Sequence, residues 1–125
     1  MGIFSKKKGK KVVIVLTPFL ENNEKASQLA EAFRNAPKVV KQMFSGLDPK
    51  LAAAFNENNY DVIDLKPPKV QPLRSKDPDQ LKTYSKDILY KHLGPVYGVY
   101  NLEFWGAKPM ENMNVYVMFF IHNQS

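Results

Sequence analysis

The chain has 125 residues, 44% of them apolar and 24% charged, and no cysteine. That is the length of one domain able to bury its own core, and the missing cysteines exclude a disulfide framework, a thiolate metal site and a cysteine nucleophile. The formal net charge is +6, and five of those charges fall in residues 1–11, where Lys6, Lys7, Lys8, Lys10 and Lys11 stand without an acid.

Residues 12–125 hold 13 basic and 12 acidic side chains. The division reads as a basic tail at 1–11 and a single globular domain at 12–125, with the excess charge in the tail rather than on a face of the fold. A basic tail is a tether to something anionic. The first apolar run is interrupted by Thr17 and Pro18, far short of the about 20 residues that span a bilayer. The residues after it lack the small-x-small cleavage site of a secretory signal. Gly2 invites an acylation reading, but Lys6 stands where the myristoylation pattern asks for Ser or Thr.

Val12, Val13, Ile14, Val15 and Leu16 are apolar on both alternating faces, which predicts a strand buried on both sides near the middle of a sheet. Asn22 or Asn23 can cap a following helix, with Ala26, Leu29, Ala30 and Phe33 at helical spacing. Pro37 should end or kink it. Val39, Val40, Met43 and Phe44 then resume a helical path up to Gly46, read as the residue beyond its C-cap. Asp48-Pro49 is an N-cap followed by proline at the first helical position, with Leu51, Ala52 and Phe55 as the stripe and Asn58-Asn59 as the stop. A strand follows over residues 60–65.

Residues 66–78 contain Pro67, Pro68, Pro72 and Pro78 and read as a stiff, extended surface connection. Asp77, Pro78 and Gln80 open the clearest helix, with Leu81, Tyr84, Ile88 and Leu89 on one face and an Asp87–Lys91 pair on another. Gly94-Pro95 should end it. Residues 98–105 alternate as a half-polar strand, with Tyr100, Leu102 and Phe104 on one face. Residues 106–114 read as a long loop, and residues 115–121 as a second interior strand.

The resulting order, β-α-α-α-β-α-β-β, predicts an α/β (or α+β) domain with a mixed four-stranded sheet and helices on one or both faces. Its first two strands should be parallel and its last two antiparallel neighbours. The order, with a proline before the third strand, is compatible with a thioredoxin-like arrangement, although the Cys-x-x-Cys that would give that comparison chemical meaning is absent.

Candidate chemistry is sparse. No glycine-rich phosphate loop follows the first strand, where Thr17, Pro18, Phe19 and Leu20 stand instead. His92 suits a helix C-terminus, His122 follows the last strand, and their spacing fits no metal motif. Asp61 and Asp64 are three apart on a strand and should point to opposite faces. No catalytic residue, metal ligand or cofactor is expected.

The leading expectation is a non-enzymatic adaptor or accessory subunit of a larger assembly. Its protein partner would contact Trp105 and Lys108, while Lys6, Lys7, Lys8, Lys10 and Lys11 dock on an anionic surface, membrane or nucleic acid. Nucleic acid would bind through the tail only, because Trp105 has a single basic neighbour. The competing expectation is a small-molecule or nucleotide site, or an enzyme, at the carboxyl ends of the strands with Thr17, Lys66 and Glu103 at its rim. A third is a nucleic-acid accessory protein with salt-sensitive binding. The absence of cysteine does not fix the compartment; the expected location is the cytoplasm or an organelle interior, with membrane periphery where the lysines meet a bilayer.

Overall fold

The computed structural model describes residues 10–19, 24–65, 70–73 and 77–123, with Leu47 described by its backbone alone. Strand β1 (Lys10–Pro18) opens the fold. Helices α1 (Glu24–Asn35), α2 (Pro37–Leu47) and α3 (Pro49–Ala54) lead to β2 (Tyr60–Asp64). Helix α4 (Pro78–Ile88) widens into a π turn at Leu89–Leu93 and continues as a short helix α5 (Gly94–Tyr97). A 3-10 turn at Val99–Asn101 then enters β3 (Leu102–Met110), and Glu111–Met113 connects to β4 (Val115–Asn123).

The four strands form one mixed sheet in the order β2-β1-β4-β3. β1 is parallel to β2 and antiparallel to β4, which is antiparallel to β3. The two uninterrupted apolar runs therefore fill the two interior positions, where both faces of a strand are covered. Thioredoxin-like likeness stops at element order, because the fourth strand, not the third, lies beside the first.

Alternating side chains divide the core into two layers. Val12, Ile14, Leu16, Val117 and Phe119 face α1–α3, which contribute Ala30, Phe33, Val40, Phe44 and Leu51. Val13, Val15, Met118 and Phe120 face the other way, against Val70, Ile88 and Leu93. Helices thus cover both faces of the sheet.

Local chemistry explains most boundaries. The Asp48 side chain accepts from the Lys50 amide at 2.9 Å and caps α3, while its own amide closes α2 on the Phe44 carbonyl. One residue serves both helices, so α2 runs through Gly46 instead of stopping there. Pro37 ends the first helix, which stops at Asn35 with Ala36 outside the helical region, and Pro37 itself occupies the first turn of α2, where its missing N–H costs nothing. α3 ends at Ala54, with Phe55 turned into the core ahead of Asn58-Asn59.

Four other expectations are corrected. Gly94-Pro95 does not end the fourth helix. Pro95 sits in the first turn of α5, and the chain turns at Gly98, whose φ of 89° suits glycine. Gly94 serves packing: a Cβ there would lie 2.6 Å from Val99 Cγ2. The long loop at 106–114 is mostly strand, since β3 reaches Met110 and Asn114, at φ 53°, closes a short connection. A bulge at Trp105, followed by Gly106 at φ 149°, absorbs one extra residue. As β3 is an edge strand, Pro109 removes no ladder bond that the sheet requires. Tyr100 belongs to the 3-10 turn and is fully exposed instead of alternating within the strand. In the proline-rich stretch, Val70 is buried and the Leu73 amide donates to the Pro18 carbonyl at 3.2 Å, so part of that connection is packed down.

Candidate functional site

Two of the five amino-terminal lysines lie within the described residues, and both belong to β1. Lys10 is exposed opposite Asn123, and Lys11 lies opposite His122. Lys11 Nζ stands 2.9 Å from Asp61 Oδ2, across the β1–β2 pair. The same carboxylate accepts the Tyr97 hydroxyl from α5, and the Tyr97 ring lies 5.0 Å from the His122 ring. His122 Nδ1 is buried and has no hydrogen-bond partner among the described residues. A basic residue, an acid, a phenol and an imidazole from four distant parts of the chain thus meet at the end where β1 begins. Lys11 is committed to this contact, while Lys6, Lys7 and Lys8 lie outside the described residues.

The expected partner-contact pair is on β3. Strict alternation would place Trp105 and Lys108 on opposite faces, but the bulge puts both on the α1–α3 side. Trp105 is half-buried against that core layer, and its indole N–H donates to Glu103 Oε2 at 3.2 Å. Glu103 Oε1 also accepts from Asn123 Nδ2 at 3.1 Å. Lys108 is exposed.

At the carboxyl ends of the parallel strands, the chain leaves β1 for α1 on one face and leaves β2 for residues 70–73 and α4 on the other. Such a switch point is where open α/β sheets bind ligands. Thr17 lies here, fully buried beside Tyr84, and its hydroxyl makes no hydrogen bond of normal geometry with a described residue. Asp64 accepts from the Ser27 hydroxyl at 3.1 Å. Asp61 and Asp64 do serve opposite faces. Lys66 lies outside the described residues, and Glu103 lies at the other end of the sheet, paired with Ile121 and thence Val12. The three expected rim residues therefore do not form one site.

Two adjoining hollows of about 490 and 510 Å³ run along α4 and share Leu73, Tyr84 and Asp87. His92 borders the first, and Asp87 is bound to Lys91 at 3.2 Å. The Tyr84 hydroxyl donates to the Gln71 carbonyl. Burial pushes its pKa up to about 12, with the Thr17 hydroxyl opposing and Tyr116 reinforcing the shift. The phenol is therefore a donor at neutral pH and unsuited to act as a base. Among the described residues, no three His, Asp or Glu side chains gather as a metal site would require, and no helix is long and apolar enough to cross a membrane.

The tyrosine shifts set an alkaline limit. Tyr97 is raised first by burial, then by its hydrogen bond to Asp61 and by that carboxylate's charge. Above the ordinary value of 10.0, unfolded tyrosines lose protons that folded Tyr84 and Tyr97 retain. The unfolded state then binds fewer protons, so stability is full below about pH 10 and falls as pH climbs towards 12. Urea midpoints measured across this range should decline, and Tyr84→Phe and Tyr97→Phe should each flatten the decline. A midpoint constant through pH 11, or a decline unchanged in both variants, would contradict these environments.

Searches of protein-family models, curated proteins and solved structures find no match to this chain.

Proposed function

We propose that this chain is a non-enzymatic adaptor or accessory subunit that reaches an anionic surface through its amino-terminal lysines. The charge partition carries this reading: residues 1–11 hold five lysines and no acid, whereas residues 12–125 hold 13 bases against 12 acids. The working set is Lys6, Lys7, Lys8 and Lys10, because Lys11 is paired with Asp61. Trp105 and Lys108, brought to one face by the bulge, are the proposed contact for a protein partner, with Lys108 as the exposed charge and the Trp105 ring as a half-buried apolar edge. The competing ligand-site reading has a switch point in its favour but no set of polar groups assembled there among the described residues.

A salt titration tests the docking. Each lysine close to an anionic leaflet contributes at most about 1 kcal/mol, so replacing Lys6, Lys7, Lys8 and Lys10 by glutamine should lower affinity for an anionic surface by up to about a thousandfold at low salt. The salt dependence should flatten with it. Retention of full affinity and slope by the quadruple variant would overturn the reading. Migration of the endogenous protein in gentle lysate at the size of the free chain would overturn its subunit part.

A further inference from the structure

We infer that the outer face of α2 is a second part of the docking surface, and that it lies against an anionic lipid bilayer. The inference rests on the docking reading above and extends it to the folded body. From Pro37 to Leu47 the helix contains no acid. Val40 and Phe44 are buried, while Lys38, Lys41, Gln42 and Ser45 are exposed. Between the two lysines in sequence stands Val39, 57% exposed. Residues 34–50 hold four basic side chains and one acidic one. The remainder of residues 12–125 is therefore net acidic by two charges, and the near-neutral total conceals a basic corner. Arg34 is balanced by Glu31 at 2.7 Å, whereas Lys38, Lys41 and Lys50 form no ion pair with a described residue.

The position of this corner joins it to the leader. The Tyr60 hydroxyl donates to the Phe33 carbonyl, and Arg34 Nη2 donates to the Val62 carbonyl at 3.1 Å. Tyr60 pairs with Val12, two residues after Lys10. The end of α1 and the start of α2 are thereby held at the end of the sheet where β1 begins. Lys10, Lys38 and Val39 therefore lie toward the same end of the sheet.

Val39 decides between bilayer and polynucleotide. An exposed aliphatic side chain beside a lysine, as Val39 is beside Lys38, gains free energy at a lipid interface, where the lysine stem lies along the apolar layer and its ammonium group reaches the headgroups. It gains nothing against a phosphodiester chain, whose binding to a protein surface is electrostatic and aided by aromatic stacking. Among the described residues, the most exposed aromatics, Tyr90 and Tyr100, belong to the segment that packs on the opposite face of the sheet.

The test is sedimentation of the full chain with phosphatidylcholine vesicles, with and without phosphatidylserine, beside a filter-binding assay on single-stranded RNA. Lys38→Gln with Lys41→Gln should lower partition onto the phosphatidylserine vesicles by about fivefold per lysine. Val39→Ser should lower it further without changing the salt slope. All three side chains are exposed, so thermal melting should be unchanged and loss of folding is separable from loss of binding. If the glutamine substitutions in the leader abolish vesicle binding while the α2 variants match the wild type, this inference fails and the docking reading stands. If the intact chain binds RNA but no vesicle, the bilayer is overturned and docking survives. If it binds neither, both fall together.

Discussion

Phe44→Ala is expected to cost about 3–5 kcal/mol of folding stability, the usual loss when a large buried aromatic is truncated. Phe44 is fully buried on α2 and meets two rings edge-on, Phe55 at 5.1 Å and Phe119 at 5.1 Å. Phe55 follows α3 and Phe119 lies on the interior strand β4, so one side chain fastens two helices to the middle of the sheet. Truncation would lose the two edge-to-face contacts and leave a hole bounded by elements that cannot all close in at once. Against the 5–15 kcal/mol typical of a small domain, a loss of about 4 kcal/mol would bring the chain near half-unfolding in mild denaturant. Phe44→Leu, which keeps much of the volume, should lose less than half as much. Val39→Ala, five residues earlier on the exposed face, should change stability by no more than about 0.5 kcal/mol. Urea unfolding of the three variants gives the comparison, and a Phe44→Ala loss below about 1 kcal/mol would show that α2 does not hold this packing.

The contrast between Phe44 and Val39 was open to sequence reading only in part. Helical spacing put Val39, Val40, Met43 and Phe44 on one apolar stripe, but a stripe four residues wide does not say where the core ends. Val40 and Phe44 went inward, and Val39 was left at its solvent margin. The interior placement of β1 and β4 was legible, because Val12–Leu16 and Val115–Ile121 are apolar on both faces and only a central position satisfies that. The two caps that precede prolines, Asp48 and Asp77, were also legible, since their chemistry is local and each accepts an amide two residues on.

Whatever depended on neighbours was not. Gly106 and Pro109 read as loop residues, yet the outer edge of a sheet tolerates both, and only the strand order reveals that β3 is an edge. The π turn at Leu89–Leu93 carries no signal in its composition. The run of lysines suggested a boundary after Lys11, but β4 supplies a pairing edge as far as Asn123, so the strand begins at Lys10. Counting charge by segment likewise hid the basic corner on α2, because acids elsewhere in the body offset it. The Asp61 contact needed three further residues, from β1, α5 and β4, that no spacing rule connects.

That contact should be the second most costly to break. Asp61→Ala is expected to lose about 2–3 kcal/mol. The Lys11 side chain is 19% exposed and the Asp61 side chain 33%, so water screens the pair in part and the cost stays below that of a fully buried ion pair. What remains behind sets the magnitude. The Lys11 ammonium would keep a half-buried place, 6.0 Å from the Tyr97 ring centre, with no carboxylate beside it. The Tyr97 hydroxyl would lose its acceptor in a site already desolvated enough to raise its pKa. If stranded charge is the larger part of the loss, Lys11→Met added to Asp61→Ala should recover stability, and the double variant should be more stable than Asp61→Ala alone. If the Tyr97 hydrogen bond dominates, Tyr97→Phe should reproduce most of the loss and Lys11→Met should recover none. Asp61→Ala should also let Tyr97 ionise more readily, since the carboxylate is both its hydrogen-bond acceptor and its opposing charge, and ultraviolet titration of the folded protein would register that shift. An Asp61→Ala variant with unchanged stability and unchanged tyrosine titration would mean that the four groups meet at this end of the sheet without holding it.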